Sequence, residues 1–511
     1  MPHREFTTAS RLRSFAGLIF AVCAALLLSA EPAHAIPVFA RKYQTSCTTC
    51  HAGFPKLNPV GLGFKMNGYR FSREDEEKIK QPPLQLGNET YRDMFPNSIL
   101  PSTIPGTTPI AFELRQLMTT NLRNAHGVPG PGPSPDFNFP TEFNFLTAGT
   151  LTKHISFWAN GGFEKGGDSI EPYVERAFLL ANNLFSYDDE PDENGVHLAP
   201  RGLVLPRHLL NLKVGQFDPF VVAPYASNMR IVGITGRLTG ELTSGSSHTA
   251  LEGPMRGIEA YGIYRNNTSW CFGVVDGAGS SAPTDNNSHK DVYARIGRKW
   301  WGYPLDGEVV AIRRPQPISR ADGDGMVTRG QSPDAGLASL EEDHNEDDPT
   351  PWMDYYRATQ FETGLFGYSG KNDVNPLTNP YLFTSDTTGS VVQDNFYRIG
   401  ADFQWQYRDL HILGTYLYGQ DSDPGTGFTV SFNSWFLEAN YYVKPWIIGY
   451  ARYEEQRFQQ SGTGVNDIQR AVPGVAFYPI VNLAVHGEFV IDTSGQGTTP
   501  NQFLIMLNYA F

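Results

Sequence analysis

Cys47-Thr48-Thr49-Cys50-His51 carries two thiols separated by two residues, with an imidazole directly after the second. That spacing is the attachment pattern of a c-type haem. The thiols add across two vinyl groups, and the adjacent histidine approaches the iron from the proximal side. A dithiol redox pair or half of a zinc site would use the same residue types. The chain has 4 cysteines in all, with no second pair to complete a Cys-rich zinc cage, so the immediate histidine favours haem. The expected cofactor is one covalently bound haem c, with Cys47 and Cys50 as attachment points and His51 as an axial ligand. Met66 is the nearest methionine after His51, and a thioether ligand there would raise the reduction potential. Packing of Met66 against the haem edge or the core is the competing reading. Met94 and His126 are further candidates, and a vacant sixth position is the remaining option.

The residues that must position this site are few. The segment from Ile36 to Phe71 is too short to bury a haem alone, so its apolar faces must be covered by another part of the chain. Of 511 residues, 18% are charged and 13% aromatic, with 51 Gly, which suits many aromatic-rich strands joined by Gly-rich turns. The formal net charge of −13 disfavours nucleic acid and favours cationic partners. Residues 1–35 read as a secretory signal: basic residues to Arg13, an apolar run from Phe15 to Leu28, and a small-residue cleavage site at Ala33-His34-Ala35. Residues 36–80 then form the monohaem segment, with a short helix expected over Ser72–Lys80. Proline-rich residues 81–109 read as a linker, and residues 110–511 as the larger domain. Cys271 is left without a partner.

That domain has period two. Ile399, Phe403, Trp405 and Tyr407 alternate with Arg398, Asp402, Gln404 and Gln406; Leu437 and Tyr441 alternate with Glu438 and Asn440. A soluble sandwich gives the same alternation, so loop lengths decide. Tight turns fall at about Arg408-Asp409, Lys444-Pro445 and Tyr478-Pro479, and longer loops at Gly419–Gly427, Gln459–Asn466 and Thr493–Asn501. Short turns on one side and long loops on the other are the pattern of an outer-membrane barrel. The fold class expected is mainly β: an antiparallel outer-membrane barrel of about 16 strands, its lumen plugged by the haem segment. The last strand alternates Phe503, Ile505, Leu507, Tyr509 and Phe511, resembling a barrel-recognition signal. Arg398, Asp402, Glu438 and His486 are expected to face the lumen and dock the plug. The long acidic stretch from Pro315 to Pro351 is expected outside, either as a cation-collecting surface or as a solvated loop.

The stretch from Ile36 to Tyr69 resembles the fused cytochrome–porin family of outer-membrane iron oxidases. Cys47, Cys50, His51, Pro55, Leu57, Pro59, Gly61, Phe64, Lys65, Asn67, Gly68 and Tyr69 match the family's motif, and Val60 stands where it usually has Phe. The resemblance implies a porin-like barrel with a one-haem plug that accepts electrons from extracellular Fe(II), or another donor, and passes them to a periplasmic cytochrome or other carrier. Such a protein is a one-electron oxidoreductase in contact with outer-membrane lipid. The competing readings are a haem-bearing porin that conducts or senses a solute, and a soluble periplasmic haem protein with a β-sandwich partner.

Overall fold

In the computed structural model, sixteen antiparallel strands close into one barrel. The described residues include 38–71, 75–80 and most of 110–510; residues 1–37, 86–102, 123–133, 187–203, 223–231, 278–287, 308–358, 375–391 and several shorter stretches lie outside them. The first expected segment, the signal, therefore falls outside the described residues, as do Met94 and His126.

The barrel strands are β1 (Ile110–Asn121), β2 (Ser134–Thr150), β3 (Ile155–Gly166), β4 (Ser169–Ala181), β5 (Asn211–Phe217), β6 (Met255–Tyr264), β7 (Thr268–Val275) and β8 (Asp291–Trp301). They continue as β9 (Gln360–Val374), β10 (Val392–Tyr407), β11 (Leu410–Asp421), β12 (Val430–Lys444), β13 (Ile447–Phe458), β14 (Ile468–Ile480), β15 (Leu483–Asp492) and β16 (Gln502–Ala510). Each pairs with its sequence neighbour, β5 with β6 across a long connection, and β16 closes on β1 through pairs such as Tyr509 with Leu114. Closure leaves no open edge, which is what a hydrocarbon environment requires of a spanning sheet.

The alternation read from the sequence has the sense of a membrane barrel. Ile399 and Leu437 are 59% and 45% exposed on the outer face, whereas their neighbours Arg398 and Glu438 are 0% exposed inside. Exposed aromatics gather at both rims: Trp300, Trp301, Tyr407, Tyr441 and Trp446 at one, and Phe137, Phe139, Phe163 and Phe428 at the other. An outward apolar band between two aromatic girdles is the signature of an outer-membrane barrel.

Most tight turns lie at one end of the barrel: β10 to β11 at 408–409, β12 to β13 at 445–446, and β14 to β15 at 481–482. The last of these falls three residues later than expected. Pro479 stays inside β14, at a register irregularity between Phe477 and Ile480 where its missing N–H is tolerated. The acidic stretch 315–351 lies outside the described residues; the strands that flank it end at Trp301 and begin at Gln360.

Candidate functional site

Among the described residues, 38–71 and 75–80 fold as two helices, a one-turn 3₁₀ helix, a small hairpin and a final helical turn. Helix α1 (Val38–Tyr43) leads through Ser46, whose Oγ accepts from the Thr48 N–H, into a one-turn 3₁₀ helix, Cys47–Thr49. The Cys50 N–H donates to the Cys47 carbonyl over 3.2 Å, which fixes the two cysteines at either end of one tight turn. Helix α2 (Pro59–Met66) starts with Asn58 as its N-cap, the Asn58 Oδ1 accepting from the Gly61 N–H at 3.0 Å, and with Pro59 in the first turn. It ends at Asn67, followed by Gly68 at φ +71.

Asn58 also clamps the cysteine turn. Its Nδ2 donates to the carbonyls of Thr48 and Thr49 at 3.1 and 3.0 Å, and its N–H donates to the Cys50 carbonyl at 2.9 Å. Gly61 is required by this approach, because a Cβ there would sit 2.2 Å from the Cys50 carbonyl oxygen. The sequence signals this clamp only as a helix start, since Asn-Pro opening an apolar stretch is a capping pattern.

His51 is half-buried. Its Nδ1 donates to the Pro55 carbonyl at 3.0 Å. A carbonyl only accepts, so Nδ1 carries the proton and Nε2 keeps its lone pair. Burial pulls the imidazole down to about 4 against the opposing hydrogen bonds from the Pro55 and Lys56 backbone, so the ring is neutral at ordinary pH. The Cys50 thiol is pushed up to about 12 by burial and then by neighbouring Cys47, and burial raises Cys47 as well. Both are free thiols, in no disulfide.

Cys47, Cys50, His51 and Met66 line one cavity, with about 1850 Å³ of atom-free space, part of it open to solvent. The far wall is barrel: Trp158 of β3, Phe178 of β4, Phe217 of β5 and Tyr261 of β6. These four share one buried cluster with Tyr43, Phe64, Met66 and Tyr69 of the N-terminal segment. Tyr69 packs on Trp158 with ring centroids 4.9 Å apart, and Phe39 stacks on Tyr69 at 5.6 Å. The segment's shortage of apolar cover is thus met by aromatic side chains of the barrel wall, none of which the sequence pattern singles out.

Polar contacts seat the segment at the tight-turn end of the lumen. Lys56 Nζ donates to His411 Nδ1 at 2.9 Å, Tyr261 Oη donates to the Met66 carbonyl at 3.3 Å, and Asn67 Nδ2 donates to the Asp306 carbonyl. Arg41 reaches the Ile110 carbonyl at 2.5 Å. Gly63 lies against the backbone of Gly307, where a Cβ would come within 2.6 Å. Only one turn, Asp75–Lys78, of the helix expected over residues 72–80 is present among the described residues. Asp75 is not a helix-dipole acid but a buried knot: it accepts from Tyr43 Oη at 2.7 Å and from the Phe71 N–H at 2.8 Å, beside Arg70 and Lys42.

The four residues expected to dock the plug face the lumen, and Glu438 there feels the charge of Lys56 on the N-terminal segment. Arg398 pairs with Asp421, and Asp402 takes a two-bond grip from Arg295, all within the wall. Glu438 pairs with Arg237 and Arg452. His486 lies edge-on to Tyr478. Arg237 belongs to an inner segment, residues 232–251, fed from the β5–β6 connection. That segment is pinned to the wall by Glu488, which accepts from the N–H groups of Ile234 and Thr235 at 2.8 and 2.9 Å, and by Glu454, which accepts from Leu238 N–H at 2.8 Å. Charged lumen groups here satisfy one another and a second insertion, which period-two reasoning has no means of foreseeing. Cys271 is buried on β7, its Sγ 3.1 Å from the Phe220 carbonyl.

The chain matches no protein-family model and no curated protein. Among solved structures it is similar to outer-membrane-expressed OmpT of Vibrio cholerae (12% identity, TM-score 0.43, covering 80% of this chain and 100% of that one). It is also similar to an anion-selective porin from Comamonas acidovorans (8%, TM-score 0.42, 79% and 98%) and to Salmonella typhi OmpF in complex with daunomycin (10%, TM-score 0.41, 79% and 97%). The chain is an outer-membrane β-barrel. That conclusion stands on the closed sixteen-strand sheet, the polar interior and the girdled apolar exterior. The haem motif rests on residues 47–69 alone.

Proposed function

We propose that this protein carries electrons across the bacterial outer membrane through one haem c seated between the N-terminal segment and the barrel wall. The observation that carries the reading is His51, with Nδ1 committed to Pro55 and a lone pair on Nε2, beside two free thiols on a cavity walled by barrel aromatics. This donor set fits the group: thiols for two thioethers, a neutral imidazole for the iron, and an apolar wall that the short segment lacks by itself. When bound, haem c supplies a one-electron Fe(III)/Fe(II) couple.

The protein's own residues do the rest. Cys47 and Cys50 would anchor the group and His51 would bind its iron, while the Pro55 carbonyl holds the imidazole's orientation and tautomer. Phe39, Tyr69, Trp158 and Phe178 give the cavity an apolar aromatic wall. Met66 lines the same cavity and would be the candidate to supply a second ligand to the iron. By the short-turn rule the end holding this segment is periplasmic, so an external donor approaches from the loop end and a periplasmic cytochrome or other carrier accepts at the turn end. With Fe(II) as donor, each turnover converts one Fe(II) to Fe(III) outside and reduces the carrier by one electron. No proton transfer or nucleophile is required. The test is stopped-flow reduction of the purified, detergent-solubilised protein by Fe(II). Fast reduction supports iron as donor. No reduction by Fe(II) beside fast reduction by another donor removes iron and leaves the conduit.

The barrel itself favours a second reading, that of a haem-bearing porin, since sixteen strands are the size that in porins leaves an aqueous channel. Planar-bilayer recording separates the two. A lumen filled by residues 38–71 and 232–251 should be nearly closed, and steady porin-like conductance would favour the transport reading.

A further inference from the structure

Lys213 and Glu259 stand directly opposite each other on β5 and β6, and both line the cavity of the Cys47–His51 site. Lys213 Nζ lies 2.5 Å from Glu259 Oε1. The two ends of this pair have different surroundings. Glu259 is fully buried and its other oxygen, Oε2, accepts from the Tyr293 hydroxyl and from the Phe220 N–H, both at 2.6 Å. The Lys213 ammonium lies 4.9 Å from the ring centre of Phe217, 5.2 Å from that of Tyr261 and 6.0 Å from that of Phe178. All three rings belong to the cavity wall. The carboxylate's charge is thus shared among three donors, while the ammonium, 13% exposed, lies among three aromatic rings.

A charge in such a site is weakly screened, and it acts on any neighbouring centre whose own charge changes. We propose that Lys213 and Glu259 form a charge pair that sets the reduction potential of the haem held at Cys47, Cys50 and His51, the ammonium favouring the reduced iron and the carboxylate limiting that effect. Tyr261 joins the pair to the plug, since its ring faces Lys213 and its hydroxyl donates to the Met66 carbonyl. The inference rests on the reading of this cavity as the haem site.

The experiment is an optical redox titration of the full-length protein in detergent, comparing wild type with Lys213→Met, Lys213→Arg and Glu259→Gln. Heat-modifiable migration and a haem-peroxidase stain are read first, to show a folded barrel and attached haem. At one ambient potential, Lys213→Met should lower the Fe(II)/Fe(III) ratio about tenfold, which for one electron is about 59 mV. Glu259→Gln should shift the ratio the opposite way, and Lys213→Arg should stay near wild type. Haem-loaded variants with unmoved ratios, or Met and Arg variants that shift alike, would overturn the inference and leave the haem site standing. If Glu259→Gln does not fold, the comparison of Met with Arg at position 213 decides alone. A wild-type protein without covalent haem would overturn both readings together.

Discussion

Trp158→Ala removes the ring that couples the N-terminal segment to the barrel wall. Trp158 is 6% exposed, its ring is 4.9 Å from that of Tyr69 and 6.4 Å from that of Phe39, and its Nε1 donates to Asn160 at 2.9 Å. Truncating a buried Trp costs about 3–5 kcal/mol. The lower end applies here, because the site borders a partly open cavity that water can enter. About 3 kcal/mol is a factor of roughly 150 in the docked-to-undocked ratio, at 1.4 kcal/mol per tenfold. The cost falls on docking and not on the barrel, whose strand ladder does not involve this side chain. Hydrogen exchange measured by mass spectrometry should show protection over residues 38–71 falling about 100-fold while β12 and β13 stay unchanged. Trp158→Phe keeps a ring and loses the Asn160 bond, so its effect should be about 1 kcal/mol. Unchanged protection over residues 38–71 in Trp158→Ala would refute the claim that the barrel wall holds this segment.

Other perturbations test separate parts of the account. Gly68→Ala forces a side chain onto φ +71 and places a Cβ 2.1 Å from Asn182 Nδ2, a group held by Ser156 at 2.8 Å. It should cost at least about 1 kcal/mol of docking, seen as faster proteolysis of the segment in an intact barrel. For Cys47→Ser the expectation is loss of normal two-thioether attachment, visible as an altered pyridine haemochrome band; an unaltered band would contradict the attachment site. Met66→Ala should lower the midpoint potential and change the absorption spectrum if the thioether ligates the iron, whereas unchanged values place the ligand elsewhere.

Much of the barrel is legible in the sequence. Period two in Arg398–Tyr407 and Trp435–Val443 reports a sheet whose two faces meet different media, and the lengths of the connections report which sheet. Pro479 shows a limit, since a proline inside an irregular strand pair reads as a turn when only one strand is seen. At the site, the Cys47–His51 spacing and the Asn58-Pro59 cap are local and therefore readable. Trp158, Phe178, Lys213 and Tyr261 come to the cavity from four strands with no shared local pattern, and the pairing of β3, β4, β5 and β6 brings them together. The partners of Glu438 and Arg398 are unreadable for the same reason: alternation says which way a side chain points, not which insertion it meets.

The central claim is passage of single electrons through a lumen closed to ions. It is tested most directly in liposomes carrying the purified protein, with an oxidised soluble cytochrome c enclosed and Fe(II) added outside. The account predicts reduction of the enclosed cytochrome that requires Cys47 and Cys50, in membranes that hold their ion gradient. An enclosed cytochrome that stays oxidised while the same liposomes leak ions through the protein would contradict it and leave a porin.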